Sequence, residues 1–246
     1  MSYDVFAQYY DTLTENVDYE TYAAYIKRLF ERYGKNIKSV LDAACGTGSL
    51  TTELALLGYD MTGIDSSYDM LMVAQTKKFT KNLDILYVCQ SMEEIDLYGT
   101  VDGAVCTLDS INHITDEETV LKAFKKISLF MEKDGIFIFD VNTEYKHREI
   151  LGDNVFVYDM ENVYCVWQNE LDDDNVTVHI ALDLFGRTGT SYMRFSEEFD
   201  EIAYPHEKIL EWLDMSGFEL VDFFEEFTEE KPKEDTERIV YVARKK

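Results

Sequence analysis

Positive charge is scarce in this 246-residue chain: 23 Lys and Arg stand against 49 Asp and Glu, a net charge of −26. Such a surface repels polyphosphate over most of its area, and only Arg244, Lys245 and Lys246 form a locally basic stretch. RNA and DNA are therefore disfavoured as substrates. Long apolar runs are missing too, since nothing approaches the ~18 consecutive apolar residues of a membrane span. The opening stretch MSYDVFAQYYDTLTE carries acids where a secretory signal would place a basic segment and an apolar run. Paired cysteines are absent. Cys45, Cys89, Cys106 and Cys165 stand singly in apolar, strand-like runs, and structural thiols in a reducing cytoplasm are the simplest account. The histidines at 113, 147, 179 and 206 lack the spacing of zinc ligands, so no metal is expected. A hydrophobic content of 46% with 29% charged residues then describes a folded, soluble, cytoplasmic protein whose oligomeric state stays open.

Short apolar runs at Ser39–Cys45, Asp60–Ile64, Ile85–Cys89, Gly103–Leu108 and Ile136–Val141 predict strands. Helical patterns lie between them. Leu50, Leu54 and Leu57 recur at helical spacing and stop at Gly58. Ser67 caps a helix carrying Met70, Leu71 and Ala74, and Thr115-Asp116-Glu117-Glu118 reads as a capping box before Val120, Leu121, Phe124 and Ile127. Strands alternating with helices predict a parallel sheet covered on both faces, with an amphipathic helix over 19–34 on one of them. From 155 the period shortens to two. Val155–Met160, Asn162–Leu171, Asn175–Phe185 and Thr190–Ile202 predict an antiparallel meander with turns at Asp172–Asn175 and Arg187–Gly189. Pro205 suits the first turn of a helix reaching Ser216. Phe218–Phe227 and Arg238–Arg244 then read as a terminal hairpin. The expected division is an α/β unit of 1–150 and 203–246, interrupted by a β subdomain of 151–202.

The segment Asp42-Ala43-Ala44-Cys45-Gly46-Thr47-Gly48 joins the first strand to the first helix after it. Small residues let a ligand approach the backbone there, and the helix beyond presents free N–H groups. No Gly-Lys-Ser/Thr follows, which excludes a Walker loop. A dinucleotide fingerprint aligned on Gly46 and Gly48 needs a third glycine where Thr51 stands, so an NAD(P)-dependent oxidoreductase is the weaker alternative. Asp65 ends the second strand about 20 residues past the loop, where an acid holds ribose hydroxyls.

Asp-Ala-Ala-Cys-Gly-Thr-Gly followed by Gly-Ile-Asp-Ser-Ser resembles the cofactor motifs of the class I S-adenosylmethionine (SAM)-dependent methyltransferases. The likeness is good over residues 37–143 and architectural elsewhere. Ala44 stands where the family's first glycine is usual, as in members resembling glycine N-methyltransferase. The resemblance implies a doubly wound, mostly parallel, seven-stranded α/β sheet, SAM as cofactor with S-adenosylhomocysteine as product, and a small-molecule acceptor of unknown identity. A non-catalytic SAM-binding module is the further alternative. The cofactor residues it implies are Tyr10, Asp42, Ala44, Cys45, Gly46, Gly48, Asp65, Ser66, Met70, Ser91, Met92, Leu108, Asp109 and His113. Among these, Met92 and Met70 would cover the adenine, Ser91 its exocyclic amine, and Asp42 the ammonium. Tyr9, Tyr10 and Tyr19 would form a lid. The stretch Asp109-Ser110-Ile111-Asn112-His113 would line the methionine end, with His113 and Asp109 the first candidates for a general base. The meander, with Tyr158, Tyr164, Trp167, Phe185, Tyr192 and Arg194, would cap the acceptor side.

Overall fold

The computed structural model describes residues 6–246. Two helices lead, α1 (Phe6–Leu13) and α2 (Tyr19–Tyr33). The alternating unit follows: β1 (Ser39–Ala43), α3 (Ser49–Leu56), β2 (Asp60–Asp65), α4 (Tyr68–Lys81), β3 (Ile85–Cys89), β4 (Val101–Cys106), α5 (Glu117–Leu129) and β5 (Met131–Asn142). A short π-helical turn, Lys146–Leu151, leads into β6 (Val155–Asp159), β7 (Val163–Leu171), β8 (Thr177–Thr188) and β9 (Ser191–Ile202). The chain closes with α6 (His206–Met215), β10 (Phe218–Glu225) and β11 (Arg238–Lys245).

The large sheet has seven strands in the order β10-β11-β5-β4-β1-β2-β3. Strands β1 to β5 run parallel, while β11 is antiparallel to both β5 and β10. Period-two alternation sorts its side chains into two cores. Phe137, Phe139 and Val141 of β5 pack with Phe124 of α5 and Trp212 of α6, whereas Ile136 and Ile138 meet Tyr22, Ile26 and Phe30 of α2. Strand order reverses between β1 and β4, and in open α/β sheets ligands bind at that switch point, beyond the carboxyl ends of the strands.

The meander is a separate four-stranded antiparallel sheet with its own apolar cluster, Val163, Cys165, Val178, Ile180, Leu182 and Leu184. Asn112 ties the two sheets together: its amide donates to Ile202 O at 2.8 Å and to Asn142 O at 3.2 Å.

Two helix starts differ from the sequence reading. The cap of α5 is Asp116, whose carboxylate accepts the Thr119 N–H at 2.9 Å, so the capping box on Thr115 does not form. A carboxylate reaching the third N–H is as good an acceptor as the threonine hydroxyl one position earlier. Pro205 sits before the first turn of α6, at φ −65° and ψ 149°, rather than inside it. Ser67 does cap α4, accepting Met70 N–H at 3.2 Å.

Candidate active site

The carboxyl ends of β1, β2, β3 and β4 open onto one cavity of about 1280 Å³, roofed by the inner face of the meander. Tyr10, Asp42, Ala44, Cys45, Gly46, Asp65, Ser66, Met70, Ser91, Met92, Leu108, Asp109 and His113 all line it.

Gly48 is the exception. It has φ +70°, and an added Cβ would lie 2.4 Å from Tyr87 Oη and 2.9 Å from Ala74 Cβ. Its smallness lets α3 and α4 approach β3, so it is a packing glycine. Gly48→Ala combines left-handed backbone strain with overpacking, so a loss of about 2–4 kcal/mol is expected in denaturant unfolding. Tyr9 also leaves the site. Its hydroxyl lies against Gly186 of β8, so within α1 only Phe6, Tyr10 and Leu13 line the cavity, joined by Tyr19 of α2. Helix α1 is pinned by Asp11, which accepts Thr47 Oγ1 at 2.6 Å and Lys77 Nζ at 2.8 Å.

Gly46 has φ +54° and open space where a Cβ would project, so the backbone presents itself bare to the cavity. Its N–H donates to Asp65 Oδ2 at 2.8 Å, while Ser67 N–H reaches Oδ1 at 2.8 Å. Burial raises the Asp65 carboxyl, and those two N–H groups oppose the rise. Asp42 is buried at the end of β1, accepts Thr51 Oγ1 at 2.5 Å, and is pushed up to about 7 by burial, with Asp65's charge adding to it. A carboxylate so poor in protein partners fits a cationic ligand group. Together, the bare loop, the anchored Asp65, the under-partnered Asp42 and the flanking Met70 and Met92 fit an adenosyl group that carries an ammonium.

The turn after β4 is strained. Leu108 and Asp109 both have φ +57°, a left-handed conformation costing each non-glycine residue ~1–2 kcal/mol. Asp140, fully buried near the end of β5, holds them there by accepting Leu108 N–H and Asp109 N–H at 2.8 Å each, and it also accepts the Tyr22 hydroxyl. Arg238 faces Asp109 at 3.4 Å, Asp140 at 3.5 Å and Glu226 at 3.6 Å. Burial raises the Asp109 carboxyl, but Arg238, then Lys146 and His113, and the Asn142 amide outweigh it and hold it at about 2. Asp109 is thus a weak proton acceptor at neutral pH.

Glu201 of β9 is buried in the cavity wall, 3.6 Å from His113 Nε2 and 3.7 Å from His147 Nε2, and burial with Asp109's charge pushes it up to about 7. The His113 ring lies 5.0 Å from that of Phe199. Of the meander aromatics, Tyr158 and Trp167 line the cavity beside Phe156 and Phe199. Tyr164 packs on Phe185 across the other face, Tyr192 is exposed, and Arg194 pairs with Asp183.

Sequence reasoning missed Asp11, Asp140, Asn142, Lys146, Glu201 and Arg238. Two left a signal: Asp140 is the lone acid in the apolar run Ile136–Val141, and Arg238 opens the apolar run that forms β11. The acids of Ser196–Ile202 fall on both faces of β9, which hides Glu201 from any pattern.

Residues 40–135 match the model of a methyltransferase domain family. A Bacillus subtilis protein named as a methyltransferase is 32% identical over 246 residues, covering 100% of this chain and 98% of that one. A Geobacillus protein named in the same way is 31% identical over 247 residues, covering 100% of both. The crystal structure of an S-adenosylmethionine-dependent methyltransferase from Clostridium acetobutylicum superimposes with a TM-score of 0.89 at 34% identity, over 99% of this chain and 98% of that one. These likenesses decide against an oxidoreductase. The cavity that joins the glycine loop to the meander belongs to a SAM-dependent methyltransferase, and to that family this chain belongs.

Proposed function

We propose that the chain methylates a small molecule held beneath the meander. Residues 1–150 and 203–246 bind SAM, and residues 151–202 act as the cap. The observation that carries this reading is the continuity of one cavity from Asp65 and Gly46 to Phe156, Trp167 and Phe199. A non-catalytic SAM sensor needs no such space beside the methyl group.

Bound SAM supplies a methyl group already activated on a sulfonium, open to in-line displacement. Asp65 receives the ribose hydroxyls, Met70 and Met92 enclose the adenine, and Ser91 meets its amine. Asp42 faces the ammonium. Asp109, held ionised by Arg238, orients ligands at the methionine end, and Tyr10 closes over the site. The cap's aromatic rings hold the acceptor in line and exclude water, which is most of what this displacement requires. A net charge of −26 supports a small-molecule rather than a nucleic-acid acceptor. Four unpaired thiols suit a reducing cytoplasm, and among the described residues no helix is long and apolar enough to cross a membrane.

Titration calorimetry tests the cofactor assignment. SAM and S-adenosylhomocysteine should bind in the micromolar range and NAD should not; the reverse result defeats the reading.

A pH dependence follows from Asp42. Its folded value lies above its unfolded one, so the stability it contributes is fully present below about pH 4 and lost as pH rises through about 7. A cationic ligand favours the ionised form, so SAM binds against a proton below pH 7. Its affinity is expected to rise about tenfold or more between pH 5.5 and 8. Asp42→Asn should flatten that rise, as read by calorimetry at each pH.

A further inference from the structure

Three carboxylates are buried among the described residues, and their partners differ. Asp42 has the Thr51 hydroxyl. Asp140 has two backbone N–H groups, the Tyr22 hydroxyl and Arg238. Glu201, on the inner face of β9 beside Val178, receives the Asn142 amide at a long 3.3 Å.

The groups around Glu201 leave its charge uncompensated. Lys146 turns its ammonium to Asn142 Oδ1 at 2.9 Å, and Arg238 is taken by Asp109, Asp140 and Glu226. His147 is wholly buried with Nδ1 2.7 Å from Val176 O. A carbonyl only accepts, so Nδ1 carries the hydrogen. The bare Nε2 lone pair then faces Glu201 Oε2 at 3.7 Å without any hydrogen-bond partner. Burial lowers the basicity of this imidazole, which keeps it neutral. His113, with its side chain 40% exposed, links Glu201 Oε1 to solvent. Asp116, Glu198 and Asp200 also border the cavity, the first held by the start of α5 and the last by His179, and the aromatic side chains of Phe156, Tyr158, Trp167 and Phe199 line it, where rings can attract a cation.

We propose that the methyl acceptor is an amine, drawn in as its ammonium form, and that Glu201 takes a proton from its nitrogen. This rests on the methyltransferase reading above. An ammonium nitrogen has no lone pair, so it cannot displace the methyl group until an N–H bond breaks. The proton moves to the Glu201 carboxylate and the electron pair stays on nitrogen. That pair forms the N–CH3 bond as the methyl–sulfur bond breaks, and the sulfur keeps the electrons and becomes a neutral thioether. The product leaves as an N-methylammonium, and Glu201 returns its proton to solvent through His113. Burial and Asp109's charge set Glu201 at about 7, against the pull of His113 and Lys146, so it accepts a proton in the neutral range.

The test uses SAM with a labelled methyl group and matched probes, in which the same aryl, sugar and alkyl skeletons carry an amine, a hydroxyl, a thiol or a carboxylate. Label should enter the amine members alone, with transfer falling on the acid side of pH 7. At saturating SAM, where the Asp42 effect on cofactor affinity drops out, Glu201→Gln should lower transfer at neutral pH by ~10²–10⁴-fold and remove the acid limb, with SAM affinity held within about twofold. Glu201→Asp, which keeps the charge, should recover part of the rate and so separates lost chemistry from lost packing. Label in the hydroxyl, thiol or carboxylate members, label in none, or an unchanged rate in Glu201→Gln each overturns the proposal. Failure of the wild-type protein to bind SAM in calorimetry would instead strike the reading on which it rests.

Discussion

Replacing Asp65 with alanine is expected to weaken SAM binding about 100-fold, roughly 2–3 kcal/mol, because the proposed ribose contact would lose two charge-assisted hydrogen bonds together. The same substitution has a cost in the ligand-free protein. Asp65 accepts Gly46 N–H and Ser67 N–H, so it braces the glycine loop against the start of α4. Alanine leaves both donors without their acceptor, and a further loss of about 1–2 kcal/mol in folding stability is expected. Asp65→Asn separates the two effects. It retains one acceptor oxygen for the loop but loses the charge and half of the acceptor capacity facing the cavity. Calorimetry should therefore show Asn binding SAM more weakly than wild type and somewhat better than Ala, while denaturant unfolding places Asn nearer the wild type. An Asp65→Ala protein that binds SAM normally would remove Asp65 from the site.

Arg238→Met is expected to be the most damaging single change to stability. The guanidinium sits among Asp109, Asp140 and Glu226, and it is the cation these three share. Removing one partner of a buried ionic cluster leaves uncompensated charge and costs about 3–5 kcal/mol, a large share of a domain's total. For a chain of this length that corresponds to a fall in Tm of about 10 °C. The loss should reach the site as well. Without Arg238, Asp140 is a strained carboxylate still holding Leu108 and Asp109 in the left-handed region, and Asp109 loses the main cause of its low proton affinity. Adding Asp140→Asn to Arg238→Met removes one of the stranded charges while keeping one acceptor for the turn, so partial recovery of Tm is expected. A Tm within about 2 °C of wild type for Arg238→Met would show that the cluster contributes little to stability.

The strand-and-helix rhythm of residues 37–143 was legible because each element announces itself locally. Apolar runs set the strands, Gly58 and Ser67 mark the helix ends next to them, and small residues at 43–48 mark the loop. The meander was legible for the same reason, since period-two alternation needs no knowledge of what the strands pack against. The packing role of Gly48 was not legible, because a glycine's sequence neighbours do not say whether its missing side chain makes room for a ligand or for Tyr87. Asp109 was readable as a site residue but not as a weak base, since its proton affinity depends on Arg238, 129 positions further along the chain.

By itself, then, the sequence determined the α/β class, the glycine loop followed by Asp65, the inserted antiparallel sheet and the acidic composition. These rest on interactions between residues a few positions apart, or on composition. Only the tertiary structure decided which acids work in the cavity and how. Proton affinity is set by burial and by neighbours brought from distant strands. Asp140 became the clamp of a strained turn, Arg238 the shared counter-ion, and Glu201 a buried carboxylate between two imidazoles with one long Asn142 hydrogen bond, because the folded sheets carried them there.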